Sequence, residues 1–223
     1  MMDFNQFQDF LRISFPGLNE VQTAQFKLME PLYKDWNSKI NVISRKDIDS
    51  LYDHHVLHSL AIAEYLRTQR PDEYSLFTTP GTNLSVLDLG TGGGFPGIPL
   101  AILFPSVRFV LCDSIMKKTV VARDVARQLD LNNVEVVNSR AESLPERFDY
   151  VVSRAVASLT DFYPWVKGKY SRGILYLKGG DVNEEISEMM SRFKMKKGSV
   201  GTWPVGSWLK DNYFEGKFVI NIL

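Results

Sequence analysis

The run Val86-Leu87-Asp88-Leu89-Gly90-Thr91-Gly92-Gly93-Gly94-Phe95-Pro96-Gly97 carries the densest chemical information in the chain. An acid stands two positions ahead of a Gly-x-Gly-x-Gly series, at the end of an apolar, strand-like segment from Leu84 to Leu89. A helix-like segment, Pro96 to Phe104, follows at once. Glycine lets a backbone turn tightly and approach a ligand, and a helix N-terminus offers unpaired N–H groups. Together these features predict a nucleotide-type pocket at the C-terminal end of a first parallel strand. Asp88 turns the reading toward S-adenosylmethionine (SAM), because its carboxylate can order the turn close to the ligand's ammonium group. Gly92, Gly94 and Gly97 also satisfy the dinucleotide spacing G-x-G-x-x-G, which is weak alone. A dinucleotide seats its pyrophosphate on that helix terminus, where an acid just ahead of the turn repels it. A purely structural glycine-rich turn is the remaining alternative.

Further candidates lie just after other apolar runs, where a doubly wound sheet collects its ligands. Asp113 follows Val107–Cys112 and is placed to accept bonds from both ribose hydroxyls of an adenosine ligand, or to cap a helix starting near Ser114. Ser139-Arg140-Ala141-Glu142 follows Val134–Asn138, where the backbone or Glu142 meets the adenine edge or Glu142 is a surface acid. Arg154 follows Tyr150–Ser153; it suits the SAM carboxylate or a substrate phosphate, bound bidentately. Lys178 follows Gly173–Leu177 as a mobile cation at the same rim.

The sequence also narrows the chemistry. Enzymes that methylate the exocyclic amine of adenine or cytosine commonly carry an Asp/Asn-Pro-Pro-aromatic loop after the fourth strand, where this chain has Ser153-Arg154-Ala155-Val156. Carbon-5 methylation of a pyrimidine needs a cysteine nucleophile, and the lone Cys112 reads as a core residue. His54, His55 and His58 lack a nearby cysteine to complete a metal site, so packing or phosphate contact is expected of them and no metal. No catalytic base is identified. The remaining acceptors are already nucleophilic, such as a ring nitrogen with a free lone pair, or are deprotonated by an unassigned base. For a ring nitrogen, catalysis is chiefly alignment.

The elements that must position these groups alternate strand and helix from Leu84 onward. Helices are predicted at Pro96–Phe104, Lys117–Leu129, near Leu159–Val166 and at Val182–Phe193. Such alternation builds right-handed βαβ units on a parallel sheet. Lys194–Val200 and Gly216–Leu223 read as a closing antiparallel pair, joined by a Gly/Trp/Pro-rich link; that ending is usual for SAM-dependent methyltransferases. Residues 1–70 read as a helical extension. Asn19 caps a segment that Pro31 should kink or split, and a second amphipathic segment runs from Asp47 to Arg67. Residues 71–83 read as the connection and 84–223 as the Rossmann-like domain.

A chain of 223 residues, 44% hydrophobic, suits one globular domain with a modest extension. Its formal net charge of zero gives no compositional support for nucleic-acid binding, which must rest on local clusters such as Arg45-Lys46 and Lys117-Lys118. The first ten residues lack signal-peptide character and no apolar run is long enough to span a bilayer, so a cytoplasmic protein is expected.

Several of these elements together resemble the bacterial 16S ribosomal RNA guanine-N7 methyltransferases, also called glucose-inhibited division protein B. The matching residues are Trp36-Asn37…Ile40-Asn41-Val42, His55…Ser59-Leu60, Asp88-x-Gly-Thr-Gly-x-Gly-x-Pro-Gly97-Ile-Pro99, Asp113-Ser114 with Lys117-Lys118, Ser153-Arg154-Ala155, and Leu177-Lys178-Gly179. The resemblance implies a class I SAM-dependent methyltransferase fold behind N-terminal helices, and methyl transfer to N7 of a guanine in 16S rRNA. It implies cofactor contacts at Gly90, Phe95, the Ala141-Glu142 backbone and Arg154, beside Asp88, Gly92, Gly94 and Asp113 from the motif itself. Asn41, His55, Lys117 and Lys178 fall to RNA or site architecture, with Lys118 on the rim. The expected partner is 16S rRNA in the small subunit or an assembly intermediate, met by a monomer with no membrane contact. His58 stands where the family often has an acid, and the last forty residues match loosely. Two alternatives stay open: a SAM-dependent enzyme acting on a small molecule or protein, and a non-catalytic SAM-binding module.

Overall fold

Five apolar segments pair in parallel because a helix carries the chain back across the sheet between most of them. The computed structural model describes residues 2–223, so Met1, the first residue of the expected extension, lies outside it. Strands β1 (Ser85–Leu89), β2 (Arg108–Asp113), β3 (Val134–Asn138), β4 (Phe148–Arg154) and β5 (Tyr170–Gly179) are mutually parallel. Outside β5 lie β6 (Val200–Pro204) and β7 (Lys217–Ile222); β7 runs antiparallel to both its neighbours. The order is β3-β2-β1-β4-β5-β7-β6. Chain direction across the sheet reverses at β1, which pairs with β2 on one side and β4 on the other, and a crevice opens there.

The central strands are mostly apolar because both faces are covered. Val86, Phe109, Leu111 and Val152 face one core, shared with the N-terminal helices, α5 (Gly97–Leu103) and α6 (Met116–Gln128). Leu87, Val110, Cys112 and Val151 face the other, under α7 (Leu159–Val166) and α8 (Val182–Arg192). Cys112 is buried, which pushes its thiol up to about 11.

The N-terminal segment contributes α1 (Phe4–Ser14) and α2 (Glu20–Lys39). Asn19 caps α2 as expected, in a reciprocal capping box with Gln22. Of the kink or split expected at Pro31, the split does not occur: α2 is one helix with Pro31 inside it. Its missing N–H leaves the Lys27 carbonyl without its helical donor, and the buried Tyr52 hydroxyl supplies one, 3.2 Å from that oxygen and 3.2 Å from Phe26 O. The second segment is not one helix: a 3-10 turn (Ile48–Ser50) and a π-helical stretch (Leu51–Val56) lead into α3 (Leu57–Gln69).

Two other expectations are corrected. The connection contains α4 (Pro71–Thr78), started by Pro71 at its first position and anchored by buried Phe77 against Phe104 and Tyr150. Lys194–Val200 is a turn, because Lys194 (φ 51°) and Gly198 (φ 84°) bend the chain in the left-handed region. The strand begins at Val200 and uses part of the expected link.

Candidate active site

Two carboxylates shape the glycine loop from opposite sides. Asp88 is fully buried; its Oδ2 accepts from Thr91 Oγ1 at 2.6 Å and from the Gly97 N–H at 2.8 Å. Its Oδ1 is also buried and has no partner, and burial lifts the carboxyl to about 7. Asp113 Oδ2 accepts from the Gly92 N–H at 2.9 Å, and Oδ1 from the Ile115 N–H at 2.8 Å. The loop is thereby held before any ligand arrives. Gly90 must be glycine: its φ is 70°, and a Cβ there would sit 2.2 Å from Val156 Cγ1.

A cavity of about 540 Å³ opens over the carboxyl ends of these strands. Gly90, Asp113, Lys118, Ala141, Glu142 and Arg154 line it, so these six of the expected residues are brought together. Asp88, Gly94 and Phe95 are buried around the loop rather than on the cavity wall. The Phe95 ring packs on Tyr33 (4.8 Å) and lies beneath the Arg154 guanidinium (5.1 Å). Asn41 and Lys117 are exposed, on the loop after α2 and the first turn of α6.

Arg154 ends β4 and is followed by Ala155 at φ 48°, a left-handed residue without glycine's freedom. The loop beyond is pinned from β5. Tyr176 Oη accepts from the Val156 and Ala157 N–H groups at 3.1 and 3.2 Å and lies 2.9 Å from Ala157 O. Lys178 is not the mobile cation expected of it: its Nζ donates to Ala157 O at 3.0 Å and pairs with Glu185 at 3.0 Å.

The N-terminal segment closes the other side. Tyr33 Oη donates to Gly93 O at 2.8 Å, and Asn37 Oδ1 accepts from the Val42 and Ile43 N–H groups, both at 3.0 Å. Asp47 joins two histidines, with Oδ1 2.6 Å from His54 Nδ1 and Oδ2 2.7 Å from His55 Nε2. His55 is buried and its Nδ1 lies 3.3 Å from Arg154 Nη2. His58 is buried against Phe214, and burial holds it well below the ordinary histidine range. Tyr213 stacks on His54 at 3.6 Å.

Tyr33, Asp47 and Tyr176, which bond the groups around the cavity, are not among the site residues expected from the sequence. Tyr33 reads there only as one of the apolar positions of α2, yet a buried tyrosine hydroxyl seeks a partner. That was the available signal.

The cavity fits SAM. Its size is that of a small-ligand site. Asp113, an acid able to accept further bonds, and Arg154 both line it, together with Gly90 of the glycine turn. The sheet order, the reversed β7 and the loop after β1 define a class I SAM-dependent methyltransferase. The solved magnesium protoporphyrin IX methyltransferase from Synechocystis PCC 6803, which holds SAM, has this fold; its TM-score is 0.57 at 14% identity, over 92% of this chain and 98% of that one. Residues 22–207 match the GidB family, rRNA small subunit methyltransferase G, and the chain belongs to that family. It is 47% identical to Ribosomal RNA small subunit methyltransferase G of Flavobacterium psychrophilum over 93% of this chain and 94% of the relative. The protein of that name in Porphyromonas gingivalis is 48% identical, over 92% and 89%.

Proposed function

We propose that this SAM-dependent rRNA methyltransferase acts on N7 of a guanine in 16S rRNA, within the small subunit or an assembly intermediate, as a cytoplasmic monomer. The observation that carries the reading is the convergence of Asp113, the glycine loop and Arg154 on one cavity, in a member of this family. SAM supplies a methyl group made electrophilic by its sulfonium. Guanine N7 keeps its lone pair outside the ring's π system, so the acceptor needs no base and no metal. The protein's task is alignment of the acceptor lone pair with the methyl group.

Arg154 receives the SAM carboxylate. Asp113, whose oxygens each retain acceptor capacity, takes the ribose hydroxyls, and the Ala141-Glu142 backbone meets the adenine edge. Gly90 and Gly92 let the loop approach the ligand, with Asp88, Gly94 and Phe95 supporting it from below. Lys118 at the cavity and the exposed Asn41 and Lys117 meet the RNA. We treat residues 1–70 as an extension, 71–83 as its connection and 84–223 as the methyltransferase domain. Zero net charge favours a particle, in which ribosomal protein also presents the substrate.

The test is transfer of labelled methyl from SAM into naked 16S rRNA and into small-subunit particles from a strain lacking the protein, at rising salt. Label entering RNA and falling as salt rises supports the reading, because phosphate contacts release counterions. Label in protein, or transfer indifferent to salt, supports a different substrate.

A further inference from the structure

Arg154 leans on a chain of side chains that reaches into the N-terminal helices. Asp47 Oδ2 lies 2.7 Å from His55 Nε2, and His55 Nδ1 lies 3.3 Å from Arg154 Nη2. A carboxylate only accepts and a guanidinium only donates. A neutral imidazole satisfies both in one tautomer alone: Nε2–H donates to Asp47, and the Nδ1 lone pair accepts from Arg154. The other tautomer sets lone pair against lone pair and N–H against N–H. An imidazolium sets a second cation against Arg154.

We propose that Asp47 and His55 are positioning residues that hold Arg154 with its remaining N–H groups facing the SAM cavity. The inference rests on the reading that Arg154 receives the SAM carboxylate. Three features support it. His55 is buried, which favours site architecture among the two roles, RNA contact or site architecture, that the sequence allows it. The Phe95 ring lies beside both partners, 5.6 Å from the His55 ring and 5.1 Å from the guanidinium, which limits their lateral freedom. Burial, then the Arg154 charge, bring His55 down to about 4 against the pull of Asp47, so the imidazole is neutral at physiological pH. The relay also gives the N-terminal segment a role in the reaction, since β4 alone offers Arg154 no such acceptor.

The test uses the full chain carrying His55→Leu, His55→Asn or Asp47→Asn, with and without Arg154→Ala. An asparagine carbonyl replaces the Nδ1 acceptor, whereas leucine cannot. His55→Leu is expected to raise the KM for SAM about tenfold with a smaller change in kcat, and His55→Asn to restore it to within about threefold of the parent. In the Arg154→Ala background His55→Leu adds nothing. Should His55→Leu fail to fold, ¹⁵N-histidine spectra of the unaltered protein decide. The neutral Nε2–H tautomer at His55 supports the relay, and the Nδ1–H tautomer or an imidazolium near neutral pH overturns it. Equal losses from leucine and asparagine, or losses that add to those of Arg154→Ala, overturn the relay and leave the Arg154 reading standing. Unchanged SAM affinity in Arg154→Ala overturns that reading itself.

Discussion

The hydroxyl of Tyr33, midway along α2, donates to the carbonyl of Gly93 at 2.8 Å. The bond crosses from the N-terminal segment to the turn that shapes the ligand cavity, and it is buried. The same helix is fastened to elements beyond β1 at three other points. Gln22 caps the carbonyls of Ile102 and Leu103 at the end of α5, Gln25 reaches Leu129 O, and Trp36 donates to Asp124 on α6. The glycine loop is therefore clamped by the N-terminal helix α2.

Tyr33→Phe removes that bond and leaves the Gly93 carbonyl short of a donor. A loss of about 1–2 kcal/mol is expected, as an unmade buried bond costs. SAM affinity should fall several-fold. Thermal unfolding with and without SAM, beside a SAM titration, checks both effects.

Gly90→Ala should be severe and Gly92→Ala milder. Alanine at 90 would place its Cβ 2.2 Å from Val156 Cγ1 at φ 70°, adding overpacking of about 1–3 kcal/mol to left-handed strain. At 92, with φ 56°, the added carbon meets no atom within 4 Å, leaving strain of about 1–2 kcal/mol. Melting temperatures of the two variants should rank in that order.

Lys178→Met should lower turnover by loosening the loop after Arg154, while leaving binding to 16S rRNA within about twofold, a difference near 0.4 kcal/mol. Direct RNA binding beside single-turnover methyl transfer separates the two. A large loss of RNA affinity with intact turnover would return Lys178 to the RNA surface.

Asp88 makes stability pH-dependent in a calculable direction. Its carboxyl is raised by burial from 3.8 to about 7, so between those values the folded chain holds a proton that the unfolded chain has released. The contribution is fully present below 3.8 and is lost as pH rises through 7. Relative to Asp88→Asn, the melting temperature of the unaltered protein should therefore decline between pH 5 and about 8. A flat difference would mean that Asp88 is ionised throughout.

The sheet was legible because its strands are short apolar runs separated by helices, and the cavity because Gly90, Asp113 and Arg154 follow three of those strands. What escaped the sequence depends on contacts far apart along the chain. Pro31 reads as a break until Tyr52 is seen beside the carbonyl it leaves open. Lys178 reads as a free cation until Ala157 and Glu185 are folded against it. Asp47 looks like a helix start, and only the fold brings it to His55 and so to Arg154. Lys194–Val200 has strand-like composition, but the left-handed positions at Lys194 and Gly198 are backbone choices that side-chain patterning does not announce.

The most direct test of the central claim is the identity of the product. Small-subunit particles from a strain lacking this protein would be incubated with the purified chain and SAM, and the 16S rRNA digested for nucleoside mass analysis. New 7-methylguanosine is expected, absent when Arg154→Ala is used. A methyl group on any other nucleoside, or none on RNA while SAM still binds, would contradict it.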